Sequence, residues 1–204
     1  MNAPTLTLLI SLSLGLTACT AQTEETTTAA QTETAAAPAT APADQVAGHD
    51  HAVAASGLED LQGEAFDRAF LSMMVAHHQG ALDMSRAALG SGDPQVRGWA
   101  ENISAAQERE IEQMAAMLEP LGGLDEAVAA PMRTEMSEMA THLQHAEDPD
   151  RAFVEGMIPH HQSALDMAQL AGGRTENPEV LTLAQDIITA QQTEINSFEA
   201  YLAQ

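Results

Sequence analysis

A repeated segment is the strongest constraint on the fold of this chain. Residues Met74–Met84 and Met157–Met167 share a His-His-Gln-x-Ala-Leu-Asp-Met core, and the second copy follows the first at a distance of 83 residues. The two copies contain four of the chain's eight histidines. Self-similarity of this kind indicates two copies of one structural unit. Because imidazole and thioether groups bind soft and borderline metal ions, the repeat also points to metal binding as the main functional question.

The repeat continues beyond the histidines into a second segment. A turn containing Gly and Pro follows each His-pair segment, and an Ala-Gln-x-x-Glu-Ile motif comes next, at residues 106–111 and 190–195. Apolar residues recur at helical spacing, and the turns carry residues that end and begin helices. Each repeat therefore predicts a helical hairpin, and the pair predicts an all-α four-helix bundle. The predicted parts are repeat 1 at about residues 64–120, a linking helix at about 125–146, and repeat 2 at about 149–204.

The histidines occupy different places on the predicted helical wheel. At about 100° per residue, His77 falls in the middle of the apolar stripe of its helix and His78 falls on the margin. His160 and His161 repeat this arrangement in the second copy. The pattern predicts that His77 and His160 point into the bundle core.

A glutamate lies centrally on the apolar stripe of each partner helix. These glutamates are Glu110 and Glu194. A carboxylate on a core face is costly unless it is paired or coordinates a metal ion. Two interpretations follow: an inward metal site of His and Glu from both repeats, or a buried His–Glu pair in each repeat that specifies packing and binds nothing.

The available ligand types favour copper. Di-iron bundles use a Glu-x-x-His pair, which this sequence lacks, and structural zinc usually draws on cysteine, of which the chain has one. Imidazole and thioether remain, a combination that suits a copper ion and favours Cu(I). The candidate ligands are His77, His78, Met73, Met84, Glu110, His160, His161, Met167 and Glu194.

The linking helix carries a second candidate site. Its histidines and methionines recur at helical spacing, so they share one face. This face is either the apolar stripe by which the helix docks on the bundle or, if it is partly exposed, a thioether-rich Cu(I) surface site. The candidate residues are Met132, Met136, Met139, His142 and His145.

Residues 66–204, with the doubled His-His-Gln motif and its following Asp-Met, resemble the bacterial domain-of-unknown-function 305 family. The resemblance implies a ferritin-like helical fold. It also implies an association with copper, since some extracytoplasmic members of that family are associated with copper binding. The role of most members is not established, so the resemblance supports the fold more than the function.

The N-terminal region predicts a membrane anchor. Residues 1–18 have the apolar stretch of a signal peptide, and Leu16-Thr17-Ala18-Cys19 matches the lipobox that precedes a lipidated cysteine. Residues 19–57 then form a Thr/Ala/Pro/Glu-rich tether whose composition cannot support a packed core. The tether contains His49-Asp50-His51, which is either a loose metal-capture site or a polar turn. The predicted location is extracytoplasmic, at the cell envelope.

The charge of the chain excludes one class of partner. The formal net charge is −23, and all seven basic residues are arginines. Nucleic-acid binding is excluded because a phosphate backbone requires a basic surface. An acidic surface attracts cations, which is consistent with metal binding, although it is also typical of any acidic protein.

Three functions are compatible with these patterns. The first is a membrane-tethered protein that binds or buffers copper. The second is a metal-dependent redox enzyme, which is disfavoured because the sequence has neither a Glu-x-x-His pair nor a nucleophile–base motif. The third is a structural or partner-binding lipoprotein whose His–Glu pairs serve packing alone.

Overall fold

The computed structural model describes residues 57–204, and within that range the regular structure is entirely helical. Five α-helices account for most of it, with two short 3₁₀ turns at Glu119–Leu121 and Leu170–Gly173. The helices are α1 (Gly63–Ala88), α2 (Pro94–Leu118), α3 (Glu126–Gln144), α4 (Pro149–Gln169) and α5 (Pro178–Leu202).

Four of the five helices begin at a side-chain cap. In each, a side-chain oxygen of Asp or Asn accepts a hydrogen bond from a backbone N–H of the first turn. Three of these helices also have a proline directly after the capping residue. Such caps satisfy amide groups that have no partner within the helix, and proline fits the first helical position because it has no N–H to lose. The capping residues are Asp93, Asp125, Asp148 and Asn177.

The helices pack as two hairpins. Helix α1 pairs with α2, α4 pairs with α5, and α1 lies against α4 to join the hairpins. Helix α3 links the two repeats and packs along α1. The predicted all-α, ferritin-like bundle of two repeated hairpins with an extra linking helix is thus confirmed.

A glycine allows α3 to approach α1 closely. A Cβ atom built on Gly80 would lie 2.5 Å from Cβ and 2.8 Å from Cγ of Met136, which is closer than such atoms can come. Since the Cβ of Met136 is fixed by its own backbone, the spacing of the two helices at this point depends on the missing side chain of Gly80.

The buried core consists of two apolar clusters with polar side chains between them. One cluster contains residues 66–76 of α1 and 164–168 of α4, and the other contains residues 81–88 of α1 and 153–157 of α4. The side chains between the clusters are those of the repeated motif. We call the following group the histidine layer: His77, His78, His160, His161, Glu110 and Glu194.

The N-terminal predictions fall outside the described residues. These are the signal peptide at residues 1–18, lipidation at Cys19, the tether and the His49-Asp50-His51 segment. Of the tether, the structure describes the last residue, Gly57. Among residues 57–204, no helix combines the length and the apolar character that crossing a membrane requires.

Candidate metal centre

Four histidines from two helices meet at the centre of the bundle. His77 and His78 come from the middle of α1, His160 and His161 come from the middle of α4, and all four are 0% exposed. The rings of His77 and His160 lie against each other, with centroids 3.8 Å apart. Within each helix the two rings are further apart, at 6.1 Å in α1 and 5.8 Å in α4.

The central pair, His77 and His160, is held by backbone carbonyl groups across the interface of α1 and α4. Nε2 of His77 lies 3.0 Å from the carbonyl oxygen of His160, and Nε2 of His160 lies 3.2 Å from the carbonyl oxygen of His77. Nε2 of His77 also lies 2.7 Å from Oγ of Ser163, whose hydroxyl donates to the carbonyl of His160. A carbonyl oxygen only accepts, so both Nε2 atoms carry the proton and donate.

The outer pair, His78 and His161, is held by the two glutamates. Nε2 of His78 donates to Oε2 of Glu110 at 2.6 Å, and Nε2 of His161 donates to Oε2 of Glu194 at 2.7 Å. Each of these bonds joins the two helices of one hairpin. The carboxylates are half-buried, with 22% and 27% of their side chains exposed.

This pairing corrects two positional predictions from the sequence. His78 and His161 are fully buried rather than marginal, and the glutamates, predicted at the centre of a core face, are half-buried and pair with these two histidines. The helical wheel treats each helix alone, whereas α1 is covered by three neighbours, α2, α3 and α4, so its buried face is wider than one apolar stripe.

All four histidines present the same free atom. Within residues 57–204, Nδ1 of each ring is buried and has no hydrogen-bond partner. Because Nε2 carries the proton in every ring, Nδ1 carries the lone pair and is a potential metal ligand. A carboxylate on the opposite ring nitrogen is the usual second-shell partner of a metal-bound histidine.

The central histidines are neutral near pH 7. Burial lowers the pKa of His77 and His160 well below the usual value of 6.5, and repulsion from neighbouring histidines lowers it further. A neutral imidazole can coordinate a metal ion, whereas a protonated one cannot.

Two glutamines that the sequence does not place among the candidate ligands are buried on the helices that carry Glu110 and Glu194. Gln107 and Gln191, the glutamines of the Ala-Gln-x-x-Glu motif, are 3% and 2% exposed. Neither side-chain polar atom of Gln191 has a hydrogen-bond partner among the described residues, nor does Oε1 of Gln107. The signal was present in the sequence, because both glutamines recur at the same motif position one turn before the glutamate.

Ser163 is a further residue that sequence reasoning missed. It occupies the position of Gly80 in the first repeat, so the two copies differ there, but a difference in residue type does not indicate a role. In the structure it bonds to His77, and the first repeat has no equivalent hydroxyl.

The predicted methionine ligands pack in the apolar clusters on either side of the layer. Met73 and Met167 belong to one cluster, and Met84 belongs to the other. All three are buried. Cε of Met84 approaches Gly156 in α4, where a Cβ would lie 3.5 Å away.

The methionine face of α3 docks on the bundle. Met132 and Met136 are buried and Met139 is half-buried, while His142 and His145 are exposed. The apolar-stripe interpretation therefore describes Met132 and Met136, and an exposed surface site formed by all three methionines does not exist in this arrangement. Met136 instead reaches Gly80, one turn from His77.

The arrangement does not contain a preformed site of three ionisable ligands. Within residues 57–204, no three His, Cys, Asp or Glu side chains are grouped so that they could hold a metal ion together. What the layer offers is four buried imidazole nitrogens with free lone pairs, between two apolar clusters that contain methionine side chains.

Comparison with known proteins gives a family match over most of the chain. The family model described as domain of unknown function (DUF305) matches residues 15–118 and 121–204. A DUF305 fragment from Deinococcus radiodurans is 30% identical, with a TM-score of 0.58 over 67% of this chain and 95% of the fragment.

Solved structures of CopM, including copper-bound forms, are similar to this chain. CopM in the Cu(I)-bound form is 35% identical, with a TM-score of 0.55 over 66% of this chain and 94% of CopM. CopM in the Cu(II)-bound form is 36% identical, with a TM-score of 0.56 over 66% of this chain and 95% of CopM.

A viral relative matches a shorter region. Uncharacterized protein L153 of Acanthamoeba polyphaga mimivirus is 43% identical over 53 residues, which are 26% of this chain and 35% of the viral protein. This chain therefore spans about a third of the length of that relative.

Proposed function

We propose that this chain, which belongs to the family of the domain of unknown function 305, is a copper-binding protein that holds Cu(I) at the histidine layer. It binds or buffers the ion on the extracytoplasmic side of a membrane, to which Cys19 tethers it. The observation that carries the proposal is the set of four buried Nδ1 atoms without partners.

The hydrogen bonds of the layer support coordination through Nδ1. Leaving a buried polar atom without a partner costs about 1–3 kcal/mol, and the layer has four such atoms on its histidines. All four Nε2–H groups are already bonded, so a metal ion at Nδ1 breaks none of these hydrogen bonds. Glu110 and Glu194 would act by orienting His78 and His161 through their Nε2–H groups.

The ligand types support Cu(I) over harder ions. Cu(I) accepts sites of two or three soft ligands, so imidazoles and a thioether are sufficient without a third carboxylate or histidine. Methionine has three rotatable bonds, which allow Met73, Met84 or Met167 to turn towards a bound ion from the flanking clusters. The similarity to CopM, which has been solved in Cu(I)-, Cu(II)- and Ag-bound forms, points the same way.

Replacing the central histidines tests the site. We expect His77→Gln with His160→Gln to lose tight Cu(I) binding, measured by competition with a Cu(I) chelator. In the wild type, a hundredfold excess of free Cu(I) over the dissociation constant should raise the free energy of unfolding by roughly 2.7 kcal/mol. The double variant should lose this stabilisation.

Two control variants locate the binding. His142→Gln with His145→Gln removes the same number of histidines from the exposed end of α3 and should leave binding unchanged. Met132, Met136 and Met139 changed together to Leu removes the thioethers of α3 at similar volume. If the His77/His160 variant kept its full copper stoichiometry and the methionine variant lost copper binding, the copper site would be on α3.

The membrane tether is tested separately. Cys19→Ser should release the protein from the membrane fraction and block processing at the lipobox, because lipidation requires the thiol. If the substituted protein still fractionates with membranes, its attachment does not depend on Cys19.

A structural role for the layer is the second candidate. The bonds of His78 to Glu110 and of His161 to Glu194 favour it, because buried polar pairs can specify how helices align. In that case the wild type would bind no Cu(I) with an affinity above that of the His77/His160 variant. The lipoprotein would then be a structural or partner-binding protein.

A further inference from the structure

The chain's only tryptophan and only tyrosine lie in one aromatic cluster. The sequence has one Trp, one Tyr and four Phe. Two of the phenylalanines, Phe66 and Phe70, stack on each other in the first apolar cluster. The other four aromatic side chains are connected through ring contacts, and they are Trp99, Phe153, Phe198 and Tyr201.

This cluster connects the histidine layer to the protein surface. The ring centroid of Phe198 lies 5.7 Å from that of His161 and 5.1 Å from that of Trp99. Trp99 in turn lies 5.4 Å from the ring of Tyr201. His161 and Phe198 are fully buried, while Trp99 and Tyr201 are partly exposed. Each step of the path is therefore a direct contact between rings.

Tyr201, at the outer end of the aromatic cluster, is hydrogen-bonded to a proton acceptor. Its hydroxyl donates to Oδ2 of Asp93 at 2.9 Å. Oδ1 of the same carboxylate caps α2 by accepting the N–H of Gln95, so the position of Asp93 is fixed. The hydrogen bond raises the pKa of Tyr201, which remains a neutral phenol. When a phenol loses an electron its proton becomes strongly acidic, and Asp93 is placed to accept it.

We propose that Phe198, Trp99 and Tyr201 conduct an oxidising equivalent away from copper in the histidine layer when Cu(I) reacts with hydrogen peroxide. This inference rests on the proposed function. Copper held as Cu(I) by the histidines of the layer would supply one electron to the peroxide, whose O–O bond would break to give hydroxide and a hydroxyl radical and leave Cu(II). Tyr201 supplies the electron that converts the hydroxyl radical into hydroxide, and its phenolic proton passes to Asp93, which leaves a neutral tyrosyl radical.

The path protects the side chains around the ion. Without it, the hydroxyl radical attacks the nearest histidines and methionines, and methionine is readily converted to its sulfoxide. Packing alone explains why the rings are in contact. It does not require a hydroxyl group on the outermost ring with a fixed carboxylate beside it, because Phe would fill the same space.

Peroxide treatment of the copper-loaded protein tests the path. The full-length protein is loaded with Cu(I) without oxygen, mixed with equimolar hydrogen peroxide and frozen for electron paramagnetic resonance. A tyrosyl signal has only one assignment, because the chain has a single tyrosine. Mass spectrometry then measures oxidation of the histidines and methionines. Copper stoichiometry and helicity are measured for each variant first.

Three variants separate conduction from packing. Tyr201→Phe keeps the ring and should increase histidine and methionine oxidation several-fold. Phe198→Leu keeps Tyr201 but removes the ring that contacts His161, so the tyrosyl signal should fall several-fold. Phe70→Leu removes a buried ring from the other cluster and should leave the signal and the oxidation pattern unchanged.

The outcomes distinguish this inference from the proposed function. Wild-type protein that binds copper but forms no tyrosyl radical would overturn the path alone, as would unchanged oxidation in Tyr201→Phe. Wild-type protein that binds no copper would overturn the proposed function and the path with it.

Discussion

Ser163 makes the two halves of the histidine layer unequal. His77 bonds to both the carbonyl of His160 and the hydroxyl of Ser163, whereas His160 bonds to the carbonyl of His77 alone. The first repeat has Gly80 at the equivalent position, where Met136 of α3 fills the space. One difference within an otherwise repeated motif therefore serves two purposes. The hydroxyl of Ser163 in α4 bonds the imidazole of His77 in α1, and the absence of a side chain at Gly80 lets α3 pack closely against α1.

Ser163→Ala should destabilise the metal-free protein by about 1 kcal/mol, the usual contribution of one hydrogen bond. Urea denaturation measures the change. Ser197→Ala is the matched control, since that hydroxyl also bonds a backbone carbonyl, the one of Thr193 at 2.9 Å, but on the exposed face of α5. The control should change the free energy of unfolding by less than about 0.5 kcal/mol. Equal effects of the two substitutions would show that Ser163 does not hold His77.

For single residues, the sequence predicts which side chains lie in the layer but not which backbone groups they bond. The sequence identified all four histidines and both glutamates, because the repeat marks each of them twice. The bonds between His77 and His160 were not predictable, since their acceptors are backbone carbonyl groups that every residue has. Nor could a wheel of one helix show that Glu110 meets His78, because the rotation of α2 against α1 decides that contact.

At the level of helices, the fold was predictable because local and global signals agree. Caps such as Asp93 and Asn177 and the prolines after them define helix starts, and apolar spacing defines the buried faces. The close approach of α3 to α1 was not predictable. It depends on the absence of a side chain at Gly80, and the sequence does not show which neighbour uses the space.

Gly80→Ala should destabilise the protein although alanine is the better helix former. The added Cβ would clash with the fixed Cβ of Met136, and overpacking of this kind typically costs about 1–3 kcal/mol. Gly98→Ala is the matched control in α2, because a Cβ there meets nothing within 4 Å. The control should gain up to about 1 kcal/mol from helix propensity. Thermal or urea denaturation should thus show opposite signs, and a stabilised Gly80→Ala variant would contradict the close packing of α3.

Across the whole molecule, the histidine layer places buried polar groups at the centre of the bundle. It divides the apolar core into two clusters and contributes unpartnered nitrogen atoms to the interior. These buried atoms without hydrogen-bond partners lower the stability of the fold at the position where the two repeats meet. Such a conflict between local preference and function is typical of a binding site, and in this chain it coincides with the most strongly repeated part of the sequence.

The stability of the metal-free protein should fall as the pH drops below about 6.5. In the unfolded chain His77 and His160 bind protons below that pH, whereas burial keeps their pKa lower in the folded state. The unfolded state then binds more protons, so the free energy of unfolding decreases by up to about 1.4 kcal/mol per pH unit for each histidine until the folded-state pKa is reached. Asp93, whose pKa lies below its usual value of 3.8, contributes only at lower pH. Urea denaturation with a chelator at several pH values between about 5 and 7.5 measures the slope. His77→Gln with His160→Gln removes both groups and should flatten the curve, and an unchanged slope in that variant would show that other groups cause the pH dependence.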